Sequence, residues 1–280
     1  MKALVIGASG QLGRALVARL GTSAHALARA QLDVTDATAV SAALDSIRPT
    51  VVINATAYNK VDVAESEPEA AFAVNGAAVL SLALAAQRVG ARLVHVSSDY
   101  VFDGAQSRPY VEDDVPRPIN TYGRSKRAGE MMVEAVGGPA LLVRTSGVFG
   151  PGGSRAKGGS FVDRILERAR TGATLRVVDD QHFAPTFAPD LAAALVTLVD
   201  EKATGTVHVT NEGACSWYEL ARAALELADL PATVDRISSA ELAAPARRPL
   251  YSVLSNARFA GLTGAPLRPW REALAEMLGP

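Results

Sequence analysis

Cysteine is almost missing from this chain. Cys215 stands alone in 280 residues, which rules out an intrachain disulfide and fits a reducing compartment. An excess of one charge is missing too: 28 basic and 29 acidic residues leave a formal net charge of -1. With no basic block, nucleic acid is not an expected partner. No apolar run approaches the roughly 20 residues that a membrane span needs, so no membrane partner is expected. Nothing at the start reads as a signal peptide, because Met1-Lys2-Ala3-Leu4-Val5-Ile6 runs directly into a strand pattern. These absences together predict a cytoplasmic protein. Apolar residues make up 49% of the chain, enough for a full core. The length is room for one large domain or a domain and a half.

Ala3-Leu4-Val5-Ile6 is a short apolar run bounded by glycine and predicts a buried parallel strand. Gly7-Ala8-Ser9-Gly10-Gln11-Leu12-Gly13 follows, then a helix through Leu20. Strand, glycine turn and helix form the context that a dinucleotide fingerprint requires. The glycines let the backbone approach a pyrophosphate, and the helix N-terminus supplies amide donors. A second strand, His25–Ala28, ends at Arg29. An arginine at this position can accommodate a 2′-phosphate, so NADPH is the expected cofactor and NADH the alternative. Asp33 and Val34 follow in a turn that could border the adenine. Thr35 or Asp36 caps the next helix, which runs to about Ile47.

Val51–Ile53 predicts the third strand, opening into Asn54-Ala55-Thr56-Ala57-Tyr58. The small residues there would let a cofactor lie flat across the strand end. An alanine-rich helix is expected over about 69–89. It contains Asn75, whose amide needs a partner if buried, either as a cofactor contact or as a brace between helix and loop. Arg92–Val96 predicts the fourth strand and delivers Ser97, Ser98, Asp99 and Tyr100 to its C-terminal end. Ala140–Arg144 predicts the fifth and delivers Thr145 and Ser146. Ligands of open parallel sheets bind outside these carboxyl ends. The pattern predicts a doubly wound α/β sheet, with a smaller, discontinuous substrate-binding region. The expected division is 1–146 with about 187–210 for the dinucleotide, and about 147–186 with 211–280 for the substrate. Glycine-rich residues 150–159 read as a lid or mobile loop.

Between the fourth and fifth strands lies Tyr122-Gly123-Arg124-Ser125-Lys126. Tyr122 and Lys126 share one helix face. A nearby ammonium favours the phenolate and is expected to pull the tyrosine pKa down. The result would be a hydroxyl able to exchange a proton near neutral pH, as carbonyl reduction requires.

These stretches resemble the extended short-chain dehydrogenase/reductase superfamily and, within it, the dTDP-4-dehydrorhamnose reductase family. Its more specific marks are Val61–Pro68, Ser97–Gly104, Arg144–Ser146, Ala184–Thr186 and Ala246–Pro249. The resemblance implies NADPH-dependent hydride transfer to C4 of a 4-keto-6-deoxy sugar nucleotide. Tyr122 would donate the proton, and Lys126 would tune it and hold the nicotinamide ribose. Ser98 would stand where the family usually has threonine, against the substrate carbonyl. Asp99 and Tyr100 would lie near the sugar, and Arg247 near the diphosphate.

The chain also departs from that family. Gly147 replaces a usual tryptophan, and Phe183 replaces a usual glycine, as if the bulky group had moved across the pocket. That leaves the exact sugar open. Ala15 stands where some members place an acid for a magnesium-linked dimer. The metal is therefore not carried over, although a homodimer stays possible. Two other readings remain. One is a reductase or epimerase of a different sugar nucleotide. The other is a non-catalytic binding subunit like that of methionine adenosyltransferase.

Overall fold

A computed structural model describes residues 1–153 and 158–279. The first half alternates strand and helix. β1 (Ala3–Ile6) is buried at every position, and β3 (Val51–Asn54) matches it. α1 (Gln11–Leu20) and β2 (Ala24–Leu27) lie between them with α2 (Ala37–Ile47). Asp36 caps α2 through the amides of Thr38 and Ala39, both at 3.0 Å. α3 (Pro68–Phe72) and α4 (Ala78–Arg88) follow, then β4 (Arg92–Ser98), α5 (Thr121–Val136), β5 (Leu141–Thr145) and α6 (Phe161–Arg170).

The helix expected over 69–89 is not uniform. A π turn over Ala73–Ala77 separates α3 from α4 and contains Asn75. By length and composition the whole stretch Pro68–Arg88 is apolar enough to cross a membrane, with 21 residues at a hydropathy of 1.6. The sequence expectation overlooked this because polar residues interrupt the run. Half of that stretch is buried inside the fold, where α4 packs against α2 and α5.

The main sheet has six parallel strands in the order Gly205–His208, β5, β4, β3, β1, β2. Gly205–His208 thus returns to the sheet edge beside β5. From β1 the chain winds first to β2 and then back across to β3, so the order reverses at β1. That reversal leaves a crevice at the carboxyl ends.

Two apolar layers cover the sheet. Leu12 and Leu16 of α1 pack with Leu191 and Leu195 of the helix Ala188–Asp200 on one face. Leu44, Val79 and Leu82 fill the other. A third cluster, with Val162, Leu166, Leu220 and Trp270, lies apart from the sheet. It gathers α6, the parallel strands Leu175–Val178 and Val234–Ile237, and the helices Trp217–Leu227 and Trp270–Leu278. Phe259, far along the chain, packs back into the sheet's own cluster.

Candidate active site

The carboxyl ends of β1, β3, β4 and β5 open onto a cavity of about 630 Å³. At its floor Gly7 has φ +84°, and a Cβ there would sit 3.0 Å from the Ala55 carbonyl. A Cβ on Gly13 would sit 2.1 Å from Gly7 O, so Gly13 seats α1 against the turn and does not line the cavity. α1 begins at Gly10 with no side-chain cap. The buried Gln11 Nε2 has no hydrogen-bond partner among the described residues. Uncapped amides and an unpaired amide nitrogen beside a side-chain-free turn suit the pyrophosphate of a dinucleotide.

Arg29, Asp33 and Val34 line the far end of the same cavity. The Arg29 side chain is 87% exposed, with its guanidinium 3.8 Å from Asp33, so it is free to turn toward a bound group. The Thr35 amide and hydroxyl hold the Asp33 carboxyl below its ordinary value.

Ala55, Thr56, Ala57 and Tyr58 form the wall beyond β3. Asn54 shapes its start, accepting from Thr56 N at 3.1 Å and Thr56 Oγ1 at 2.6 Å. Asn75 shapes its end. It accepts from Tyr58 N at 2.9 Å and donates to Tyr58 O at 3.0 Å and Ser125 Oγ at 2.9 Å. Asn75 is therefore a brace between this wall and α5, and it does not line the cavity. The π turn presents the amide to both partners.

α5 carries Tyr122 and Lys126 to the cavity, and its start is fixed at two points. Asn120 Oδ1 accepts from Gly123 N at 2.7 Å. Glu65 accepts from Thr121 N at 2.8 Å and Thr121 Oγ1 at 3.0 Å. Gly123 permits close approach, since a Cβ there would lie 2.1 Å from Tyr100 O. The Tyr122 ring meets the Tyr100 ring edge-on at 5.9 Å.

Burial pushes the Tyr122 hydroxyl up to about 12; a hydrogen bond with Ser98 opposes this and Asp99 adds to it. The expected downward pull of Lys126 is absent because the ammonium is directed elsewhere. Its Nζ donates to Val96 O at 2.7 Å. Burial also brings Lys126 down to about 8, with Glu130 opposing. Tyr122 is thus protonated at neutral pH, the state that a proton donor requires.

Ser97, Ser98, Asp99, Tyr100, Thr145 and Phe183 also line the cavity, but Arg247 does not. The Arg247 side chain is exposed, and its carbonyl accepts from Asn120 Nδ2 at 2.8 Å. The neighbouring Arg248 takes the structural role, with a two-pronged grip on Asp62 at 2.7 Å for each prong. The two sequence marks Val61–Pro68 and Ala246–Pro249 are therefore partners in space, and they clamp the start of α5. Arg144 and Glu130 form another such pair, buried and bidentate at 2.8 and 2.9 Å.

Sequence reasoning missed Arg164, Trp217 and Ser252, all of which line the cavity. Trp217 had a signal in its rarity, being one of two tryptophans. Arg164 and Ser252 had none, since each reaches the cavity only through packing of the later segments. Of the predicted lid, residues 154–157 lie outside the described residues. Among the described residues no cluster of potential metal ligands occurs.

The profile of the RmlD substrate binding domain matches residues 1–280. A dTDP-4-dehydrorhamnose reductase of Streptomyces griseus is 44% identical over 284 residues, covering 98% of this chain and 91% of that protein. A dTDP-4-keto-6-deoxy-D-glucose reductase of Streptomyces niveus is 41% identical over 285 residues, covering 98% and 95%. The crystal structure of a Bacillus anthracis dTDP-4-dehydrorhamnose reductase in complex with NADP superposes with a TM-score of 0.93 at 35% identity, covering 99% of each chain. The glycine turn, the Tyr122–Lys126 helix and these full-length matches agree, and the chain belongs to the RmlD substrate-binding-domain family of extended short-chain dehydrogenase/reductases, the family of the dTDP-4-dehydrorhamnose reductases.

Proposed function

We propose that this chain reduces the C4 ketone of dTDP-4-dehydro-L-rhamnose with NADPH to give dTDP-L-rhamnose. The observation that carries the reading is the convergence of Tyr122, Ser98 and Lys126 on the cavity into which the glycine turn opens. The nicotinamide supplies the hydride when bound. The cavity residues orient the ketone and exclude water. Tyr122 gives its proton to the ketone oxygen as the carbon is reduced, and solvent returns a proton to the phenolate. Lys126, its Nζ anchored on Val96 O, would offer its remaining donors to the cofactor ribose. Gly7, Gly10, Gln11 and Leu12 take the pyrophosphate, Arg29 the 2′-phosphate, and the Ala55–Tyr58 wall the nicotinamide side.

In this reading residues 1–146 and 187–210 hold the cofactor, and 147–186 and 211–280 close over the sugar nucleotide. The separate third apolar cluster supports that division, although Phe259 shows the later segment also packing on the sheet. The chain works in the cytoplasm on a small soluble substrate, without a metal, nucleic acid or membrane partner. A near-neutral net charge of -1 argues against a nucleic-acid partner.

A second reading, reduction of a different 4-keto-6-deoxy sugar nucleotide, is favoured by one observation. Phe183 fills the space over Gly147 at the cavity wall, and a relative of similar identity is a dTDP-4-keto-6-deoxy-D-glucose reductase. The test is NADPH oxidation with each keto-sugar nucleotide, the product identified by mass and NMR spectrometry. Preferred turnover of the rhamnose precursor supports the first reading, preferred turnover of the D-gluco compound supports the second, and no turnover of either defeats both.

A further inference from the structure

A sugar nucleotide brings a diphosphate with it, and Arg247 does not line the cavity that would receive it. Among the described residues four basic side chains do line it: Arg29, Lys60, Lys126 and Arg164. Arg29 lies at the far end beside Asp33, and Lys126 donates to Val96 O. Lys60 follows the Ala55–Tyr58 wall, on the cofactor side. Arg164 alone belongs to a helix of the third apolar cluster, apart from the sheet.

Local structure at the start of α6 places this arginine. Ser160 and Asp163 cap the helix reciprocally: Ser160 Oγ accepts from Asp163 N at 3.2 Å, and Asp163 Oδ2 accepts from Ser160 N at 2.7 Å. The Asp163 carboxylate is thereby turned to the backbone, and it does not line the cavity. A long helical side chain leans toward the N-terminus of its helix, and Arg164 Nη1 accordingly lies 3.5 Å from Gly159 O. That contact is at the outer limit of a hydrogen bond, so a phosphate oxygen can replace it. Phe161, on the same helix face, packs on Trp217 at 4.7 Å, and Trp217 stacks on Phe183 at 4.0 Å. This aromatic column fixes α6 against the cavity wall.

The carboxylates that line the cavity do not compete for Arg164. Asp33 is at the far end. Asp99, 3% exposed, accepts from Ser98 Oγ at 3.0 Å, Ser146 Oγ at 2.7 Å and Ser252 Oγ at 2.6 Å. We propose that Arg164 holds the diphosphate of the sugar nucleotide, its planar guanidinium donating to two phosphate oxygens. The nucleotide then lies along the start of α6, with the sugar toward Tyr122. This inference rests on the reductase reading of the site and names the group that meets the charge of the substrate.

Calorimetric titration of wild type and Arg164→Met with dTDP, and separately with NADPH, tests it. The side chain is exposed, so the variant is expected to keep the wild-type Tm. The Kd for dTDP rises about tenfold to hundredfold, the worth of a hydrogen bond to a charged group. The KM for the keto-sugar nucleotide rises with it, while kcat and the Kd for NADPH stay within about twofold. Arg164→Lys recovers part of the affinity, because it keeps the charge and loses the fork. An unchanged Kd for dTDP overturns the proposal, and the same loss in Lys60→Met instead assigns the diphosphate to Lys60. Weaker NADPH binding, alone or with dTDP, makes Arg164 a cofactor ligand or a structural residue and overturns it as well. A failure of the reductase reading shows up separately, as a wild-type protein that turns over no keto-sugar nucleotide.

Discussion

Gly147 and Phe183 occupy one space. A Cβ built on Gly147 would lie 2.2 Å from Phe183 Cε2, and the Phe183 ring is stacked on Trp217 at 4.0 Å. Phe183 therefore cannot move away without leaving its stack. Gly147 also has φ +51°, a conformation that penalises any side chain. Gly147→Ala is expected to cost about 1–3 kcal/mol through overpacking, and less in a Phe183→Gly background, where the strain at φ alone remains. Urea denaturation of the two single variants and the double variant measures the coupling, and simple additivity would remove the steric link.

Tyr122→Phe is expected to lower kcat by about 10²–10⁴-fold, the range for a positioned acid, while NADPH binds as before. Single-turnover kinetics with NADPH titration checks both parts. Turnover close to wild type would take the proton-donor role away from Tyr122.

Burial holds Lys126 at about 8 in the folded protein, against 10.5 for the free side chain. Between those values the unfolded chain binds the extra proton, so the sign is a stability that rises with pH. The apo protein is expected to gain stability from about pH 8 to about pH 10.5, and Lys126→Met is expected to lose that gain. Urea midpoints for both proteins across this window make the test; parallel curves would show that Lys126 does not titrate there.

Glu130→Gln strips the buried Arg144 guanidinium of its bidentate carboxylate. Arg144 is 2% exposed and Glu130 0%. Breaking such a pair on one side costs about 3–5 kcal/mol. Chemical denaturation of the variant reads the loss, and a change below 1 kcal/mol or so would mean that His208 and other neighbours satisfy the arginine.

Arg29→Asp is expected to lower the kcat/KM ratio of NADPH to NADH by about tenfold to hundredfold, the value of a hydrogen bond between charged groups. Steady-state kinetics with both cofactors decides it. An unchanged ratio would show that the exposed guanidinium does not read the 2′-phosphate.

Much was legible in the chain itself because it depends on local pattern. Short apolar runs placed β1, β3, β4 and β5, and glycine spacing placed the turn before α1. The Tyr122–Lys126 spacing put both side chains on one helix face. These features follow from helix and strand periodicity and from the backbone freedom of glycine, which neighbours in sequence already fix. Tertiary structure decided the rest. It turned Asn75 into a brace, left Arg247 outside the cavity and paired the neighbouring Arg248 with Asp62. It brought Arg164, Trp217 and Ser252 to the cavity, and it surrounded Asp99 with serines from distant segments. It also set the ionisation of Tyr122. An ammonium four residues away suggested a lowered pKa, but burial raises it and the ammonium is bound to Val96. Burial and the direction of a hydrogen bond come from how segments far apart in the chain pack together, and no spacing within the sequence encodes them.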